Sequence, residues 1–229
     1  MGVVTNDLVE QVLSAGEPAE RQLRRQLLDV LLAPSEPTRM TYQEFLEWLD
    51  EDTLAEWVNG EVIMTSPASK PHQDIVGFLG GVLRSFVEQR RLGLIVVAPF
   101  QMRLEESGRE PDLLFVAADH QDRIRHTYLD GPADLVVEIV SPESAGRDRG
   151  EKFYEYEAAG IPEYWLLDPQ THRAEFYQLG PEGQYRLVAP DAEDIYRSAV
   201  LPGFWLRVGW LWQQPLPRVL DVLRELQVI

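Results

Sequence analysis

The chain has 229 residues, no cysteine, 45% hydrophobic and 26% charged residues, and a formal net charge of -17. That composition supports a globular core and excludes a disulfide framework, a zinc–thiolate site and a cysteine nucleophile. An acidic surface repels nucleic acid at long range, which counts against passive DNA coating and leaves room for an enzyme that uses a local basic groove or a bound cation.

The opening residues, MGVVTNDLVEQVLSAGEPAE, lack the basic region and apolar stretch of a signal peptide. No apolar run is long enough to span a bilayer. With the missing cysteines, this leads to the expectation of a cytoplasmic protein with no membrane partner. Residues 6–33 read as an amphipathic helical extension, with Leu8, Val12, Leu23, Leu27, Val30 and Leu31 near helical spacing. The segment APSEP, ending at Pro37, breaks it. We therefore expect a helical extension and linker over residues 1–37 and a folded domain over 38–229.

Thr41 and Glu44 match a capping box and predict a helix from Tyr42. Asn59-Gly60 in AEWVNGEVIM predicts a type I′ hairpin. Its register sets Val58 against Glu61 and Glu56 against Ile63, so these four share a sheet face. Glu56 and Glu61 then either serve a site or sit on the wet side of the hairpin. A helix is predicted from Pro71 to Arg90, with Ile75, Leu79, Val82 and Phe86 as its stripe. His72 falls on its buried side, either as a site residue or as a hydrogen-bonded residue of the first turn.

LIVVAP and FQMRL read as strands, ESGRE as a turn, and PDLLFVA as a strand starting at or just after Asp112. In DLVVEIV, Leu135, Val137 and Ile139 point one way and Val136, Glu138 and Val140 the other. A carboxylate in such an apolar strand is costly unless something pairs with it. Ser144 to Ala159 is predicted as one helix ended by Gly160. PEYWLLD reads as a strand, and RAEFYQLGPEGQYRLVAP as a hairpin turning at Pro181 to Gly183. The Trp-rich tail from Leu201 reads as core or subunit contact, with a short helix from Arg218 to Leu226. The order predicts an α/β or α+β domain with a mixed central sheet flanked by helices.

Asp112, Glu138 and Lys152 are the residues with chemistry in view. If the strands of Asp112 and Glu138 are neighbours, two carboxylates face one point and repel. A divalent cation relieves that repulsion, and oxygen ligands suit magnesium or manganese. Lys152 shares a helix face with Arg149 and Tyr156 by spacing. These three residues in this order are common in proteins, and the spacing alone is a weak signal.

The blocks PDLLFV, LVVEIVSPES and DRGEKFYEYEAAGIPEYWLLDP resemble the Uma-type family of restriction-endonuclease-like proteins, of the PD-(D/E)-x-K nuclease superfamily. EWVNGEVIMTSPAS, followed by His72, resembles that family's N-terminal block. The resemblance runs from about Thr41 to about Phe204 and leaves residues 1–37 outside. It implies a restriction-endonuclease-like core and a metal-dependent phosphodiesterase acting on DNA. Asp112 takes the place of the motif aspartate and Glu138 that of the second acid, both as metal ligands for Mg2+ or Mn2+. The superfamily pattern wants lysine two residues after the second acid, where Val140 stands. Lys152, on the following helix, fits the lysine's place. Glu56, Glu61 and His72 match the N-terminal block as further metal or water contacts. A homodimer is expected, because cutting two strands suits two sites. Two other readings stay open: a binding or regulatory protein that kept the fold without the chemistry, and a hydrolase of small phosphate esters.

Overall fold

The computed structural model describes residues 39–49, 53–64, 68–141 and 144–229. The helix expected over residues 6–33 and the linker ending at Pro37 lie outside the described residues. Helix α1 (Tyr42–Trp48) starts at the predicted capping box. The Glu44 N–H donates to Thr41 Oγ1 at 3.2 Å, and the Thr41 N–H donates to Glu44 Oε2 at 2.7 Å. Strands β1 (Ala55–Val58) and β2 (Glu61–Met64) form the predicted hairpin, with Glu56 opposite Ile63 and Val58 opposite Glu61. Asn59 (φ 50°) and Gly60 (φ 90°) are both left-handed, as a type I′ turn requires. Helix α2 (Lys70–Arg90) buries Ile75, Leu79, Val82 and Phe86.

Strands β3 (Gly93–Val97), β4 (Gln101–Arg103), β5 (Ser107–Arg109) and β6 (Leu113–Ala117) follow. The turn expected at ESGRE is instead strand β5, paired with both β1 and β4. Its composition is turn-like, but all three residues are buried, and tertiary context overrides propensity. Glycine is what lets the strand pass Tyr42: a Cβ on Gly108 would stand 2.3 Å from Tyr42 Cε2.

After β7 (Tyr128–Asp130) and β8 (Leu135–Ile139), the single helix expected over Ser144–Ala159 is two. Helices α3 (Ala145–Arg149) and α4 (Glu151–Ala158) break at Gly150, whose backbone (φ -114°, ψ -94°) is not helical. Gly160 (φ 76°) follows the end of α4, as the sequence predicts. Strands β9 (Glu163–Asp168), β10 (Arg173–Leu179), β11 (Tyr185–Leu187), β12 (Ile195–Arg197) and β13 (Trp205–Arg207) and helix α5 (Val219–Glu225) complete the described elements.

Where one central sheet is expected, the strands form three. The main sheet runs β11-β10-β9-β8-β6-β3, and a five-stranded sheet runs β2-β1-β5-β4-β7, with β12-β13 as a separate pair. The main sheet is mixed because β8 and β9 are parallel, joined through α3 and α4, while its other pairs are antiparallel. Both of its faces are buried. Leu135, Val137 and Ile139 pack with α2 and the C-terminal segment, including Trp210. Val136 and Val140 pack with Met102, Leu129 and Tyr156 on the other face. Strand β8 is therefore interior, and Glu138 does not face solvent from a sheet edge. Among the described residues, no helix is long and apolar enough to cross a membrane.

Candidate active site

Antiparallel pairing of β6 with β8 sets Leu113 opposite Val137 and Leu114 opposite Val136. One step further along that register, Asp112 comes opposite Glu138. The same side chain fastens the two strands: Asp112 Oδ2 accepts the Ile139 N–H at 2.6 Å. Asp112 Oδ1 pairs with His72 Nε2 at 2.8 Å, so the first turn of α2 is tied to the start of β6.

Glu138 is buried (4% exposed). Its Oε1 accepts from Lys152 Nζ at 3.0 Å and from the Tyr156 hydroxyl at 2.8 Å. Lys152 and Tyr156, one turn apart on α4, reach the same oxygen. Arg149, expected on that face, instead pairs with Asp168 at 3.1 Å; the helix is interrupted at Gly150, between Arg149 and Lys152, so an unbroken helical spacing does not relate the two. Lys152 Nζ also lies 3.0 Å from Glu56 Oε1 and 3.4 Å from Asp148 Oδ1. Glu56 in turn accepts from Arg109 Nη1 at 3.2 Å and from the Glu110 N–H at 3.2 Å. Arg109 is held from its other side by Glu155 at 2.7 Å.

The electrostatics follow from this crowding. Burial raises the Glu138 pKa well above the carboxylate range. Lys152 opposes that rise, and Asp148, Asp112 and Glu56 add to it. Burial also acts to raise Glu56, but Lys152 and Arg109 outweigh it and hold Glu56 below its ordinary value. Burial acts to lower Lys152, and Glu138, Glu56 and Asp148 reverse this, so the ammonium stays charged. Glu110, pushed up to about 6 mainly by burial, lies on the same wall. Carboxyl groups outnumber basic side chains along this cleft, and a bound cation would favour their charged forms.

Glu56, His72, Asp112, Glu138 and Lys152 all line one cleft of about 490 Å³. Glu61 does not line it. It shares a face with Glu56, but it sits exposed at the turn end of β2. The sequence reading placed Tyr156 on the face of Lys152 and missed Arg109, Glu110 and Asp148 as members of this cluster. Arg109 was hidden by the turn reading of ESGRE. Asp148 stands four residues before Lys152, and that spacing could have flagged it.

Among the described residues, no group of three or more His, Cys, Asp and Glu side chains is arranged to hold a metal ion. Magnesium needs fewer, since it is usually held by one or two carboxylates and keeps several waters. The donor set fits that demand. Glu138 Oε2 takes no hydrogen bond among the described residues, and each Asp112 oxygen keeps a second lone pair. Asp112 and Glu138 are thus the residues that would hold a hard divalent cation, if one is bound here.

The chain thus combines a mixed sheet flanked by helices with buried carboxylates and a lysine at one cleft. It resembles the crystal structure of "a putative nuclease belonging to DUF820" from Anabaena variabilis ATCC 29413, with a TM-score of 0.65 and 17% identity, covering 76% of this chain and 97% of that one. The "Uncharacterized protein sll1609" of Synechocystis sp. (strain ATCC 27184 / PCC 6803 / Kazusa) is 27% identical over 154 residues, 65% of this chain and 85% of that protein. Residues 42–209 match the model of the Uma2 family, described as "Putative restriction endonuclease". The chain belongs to the Uma2 family.

Proposed function

We propose that the protein is a divalent-cation-dependent endonuclease that hydrolyses DNA phosphodiester bonds at the cleft of Asp112, Glu138 and Lys152. One observation carries the reading: a buried lysine bridges Glu56 and Glu138 beside Asp112, in a cleft open to a ligand. A buried ion pair is weak support for stability as such, and Lys152 joins carboxylates from two different sheets. Perturbed titration in a cleft is where functional sites concentrate.

In the reaction a water oxygen attacks phosphorus, the P–O bond to the leaving nucleoside breaks, and the leaving oxygen takes up a proton. Magnesium or manganese held by Asp112 and Glu138 would polarise a phosphate oxygen and acidify a bound water. Lys152 is protonated, so it takes no proton from water. It holds Glu138 Oε1 in place and stabilises negative charge as it grows on the phosphate. His72 fixes the orientation of Asp112, and Arg109 fixes that of Glu56.

The test is cleavage of duplex DNA with magnesium by wild type, Asp112→Ala and Lys152→Met. The reading predicts cleavage by wild type that EDTA abolishes, and a loss of 100-fold or more in both variants, on the order of a missing electrostatic group in an active site. Cleavage retained in Asp112→Ala would remove this cleft from the reaction.

A further inference from the structure

We infer that Arg147 is a phosphate-binding residue of this cleft, taking the non-bridging oxygens of a substrate phosphodiester. The inference rests on the phosphodiesterase reading and names the contact that brings an anion to an acidic site. The difficulty it resolves is electrostatic. The cleft is lined by Glu56, Glu110, Asp112 and Glu138, on a chain of net charge -17. A phosphate needs a protein cation there, and the neighbouring cations are already engaged. Lys152 meets Glu56, Glu138 and Asp148. Arg109 meets Glu56 and Glu155, and Arg149 meets Asp168 and Glu175.

Arg147 differs from all three. It lines the cleft beside Ser141, Ser144 and Gln170. Its Nε is buried and has no hydrogen-bond partner among the described residues. Among the described residues its guanidinium forms no ion pair. Buried polar groups in folded proteins are almost always bonded, so an orphaned donor in a residue that lines a cleft points to a ligand. A guanidinium fork matches two oxygens of a phosphate. Helix α3 divides three consecutive residues among three tasks. Asp148 is buried against Lys152, Arg149 pairs with Asp168, and Arg147 is left for the cleft.

The test is fluorescence anisotropy of a labelled short duplex, with calcium replacing magnesium, titrated with wild type, Arg147→Gln and Arg147→Lys. Dimethyl phosphate serves as a second probe, and manganese binding by calorimetry is measured on the same samples. Loss of a charge-assisted bidentate contact predicts duplex binding weaker by about 10- to 100-fold in Arg147→Gln. The salt-dependence slope should fall by about one. Arg147→Lys should recover only part of the affinity, and manganese binding should be unchanged in both. A folded Arg147→Gln that binds duplex as tightly as wild type, with the same salt slope, overturns the assignment and leaves the nuclease reading standing. Should Arg147→Gln not fold, wild-type affinity in Arg147→Lys overturns the bidentate contact. Dimethyl phosphate bound by wild type, lost in Arg147→Gln and joined by no duplex binding keeps Arg147 as the phosphate residue and removes DNA as the substrate. A wild-type protein that binds neither probe overturns the assignment.

Discussion

Two buried glutamates in this chain have opposite surroundings. Glu163 accepts from the Trp165 indole, the hydroxyls of Tyr196 and Ser198, and the N–H groups of Ala199 and Val200. Its oxygens are satisfied by neutral donors, and it ties β9 to the C-terminal segment. Glu138 has Lys152 and Tyr156 on one oxygen and lines the cleft. The sequence shows Glu138 as an acid in an apolar strand and so raises the question of what it faces. It does not show Lys152 folded back over it, because only the tertiary structure brings α4 to β8. Glu56 offers a test of the network. Its pKa lies below the ordinary value, so its pairing contributes stability above about pH 4.5. That contribution is lost as pH falls through the lowered pKa. Glu56→Gln leaves the Lys152 and Arg109 charges short of a partner and is expected to cost about 3–5 kcal/mol near neutral pH. The gap between variant and wild type should narrow steadily in denaturant titrations carried toward about pH 3. A gap that is constant with pH would show that Glu56 acts through shape alone.

Elements with strong local signals were legible: the Asn59-Gly60 hairpin, the apolar stripe of α2, and the alternation of β8. Their cues lie within a few residues, and the structure keeps them. What was not legible depends on distant partners. ESGRE forms a strand because β1 and β4 offer hydrogen bonds on both sides and Gly108 passes beneath Tyr42. The break at Gly150 was hidden inside an otherwise helical pattern. It separates α3 from α4, so that Arg149 leaves the face where Lys152 and Tyr156 meet Glu138. A Cβ on Gly150 would stand 2.8 Å from the Gly146 carbonyl oxygen, a backbone atom that cannot swing aside. Gly150→Ala is expected to destabilise the fold by about 1–3 kcal/mol, as overpacking does. Because α4 carries Lys152, cleavage should fall by more than the loss of folded protein explains. Thermal unfolding and specific activity per folded molecule, measured together, check this; unchanged activity in a folded variant would detach the break from the site.

At the scale of the whole molecule, the net charge of -17 would oppose encounter with DNA, and the proposed nuclease site would have to work against that field. The main sheet places Asp112 and Glu138 on adjacent strands, and helix α4 and strand β1 bring Lys152 and Glu56 to them. Assembly in this way concentrates carboxylates where a cation would be held, which is the central claim. It is tested most directly by manganese binding, followed by calorimetry on wild type and Glu138→Ala in the presence of a short duplex. The account predicts saturable binding by wild type that is lost in Glu138→Ala while the fold is kept. Equal binding by both proteins, or none by wild type, would contradict it.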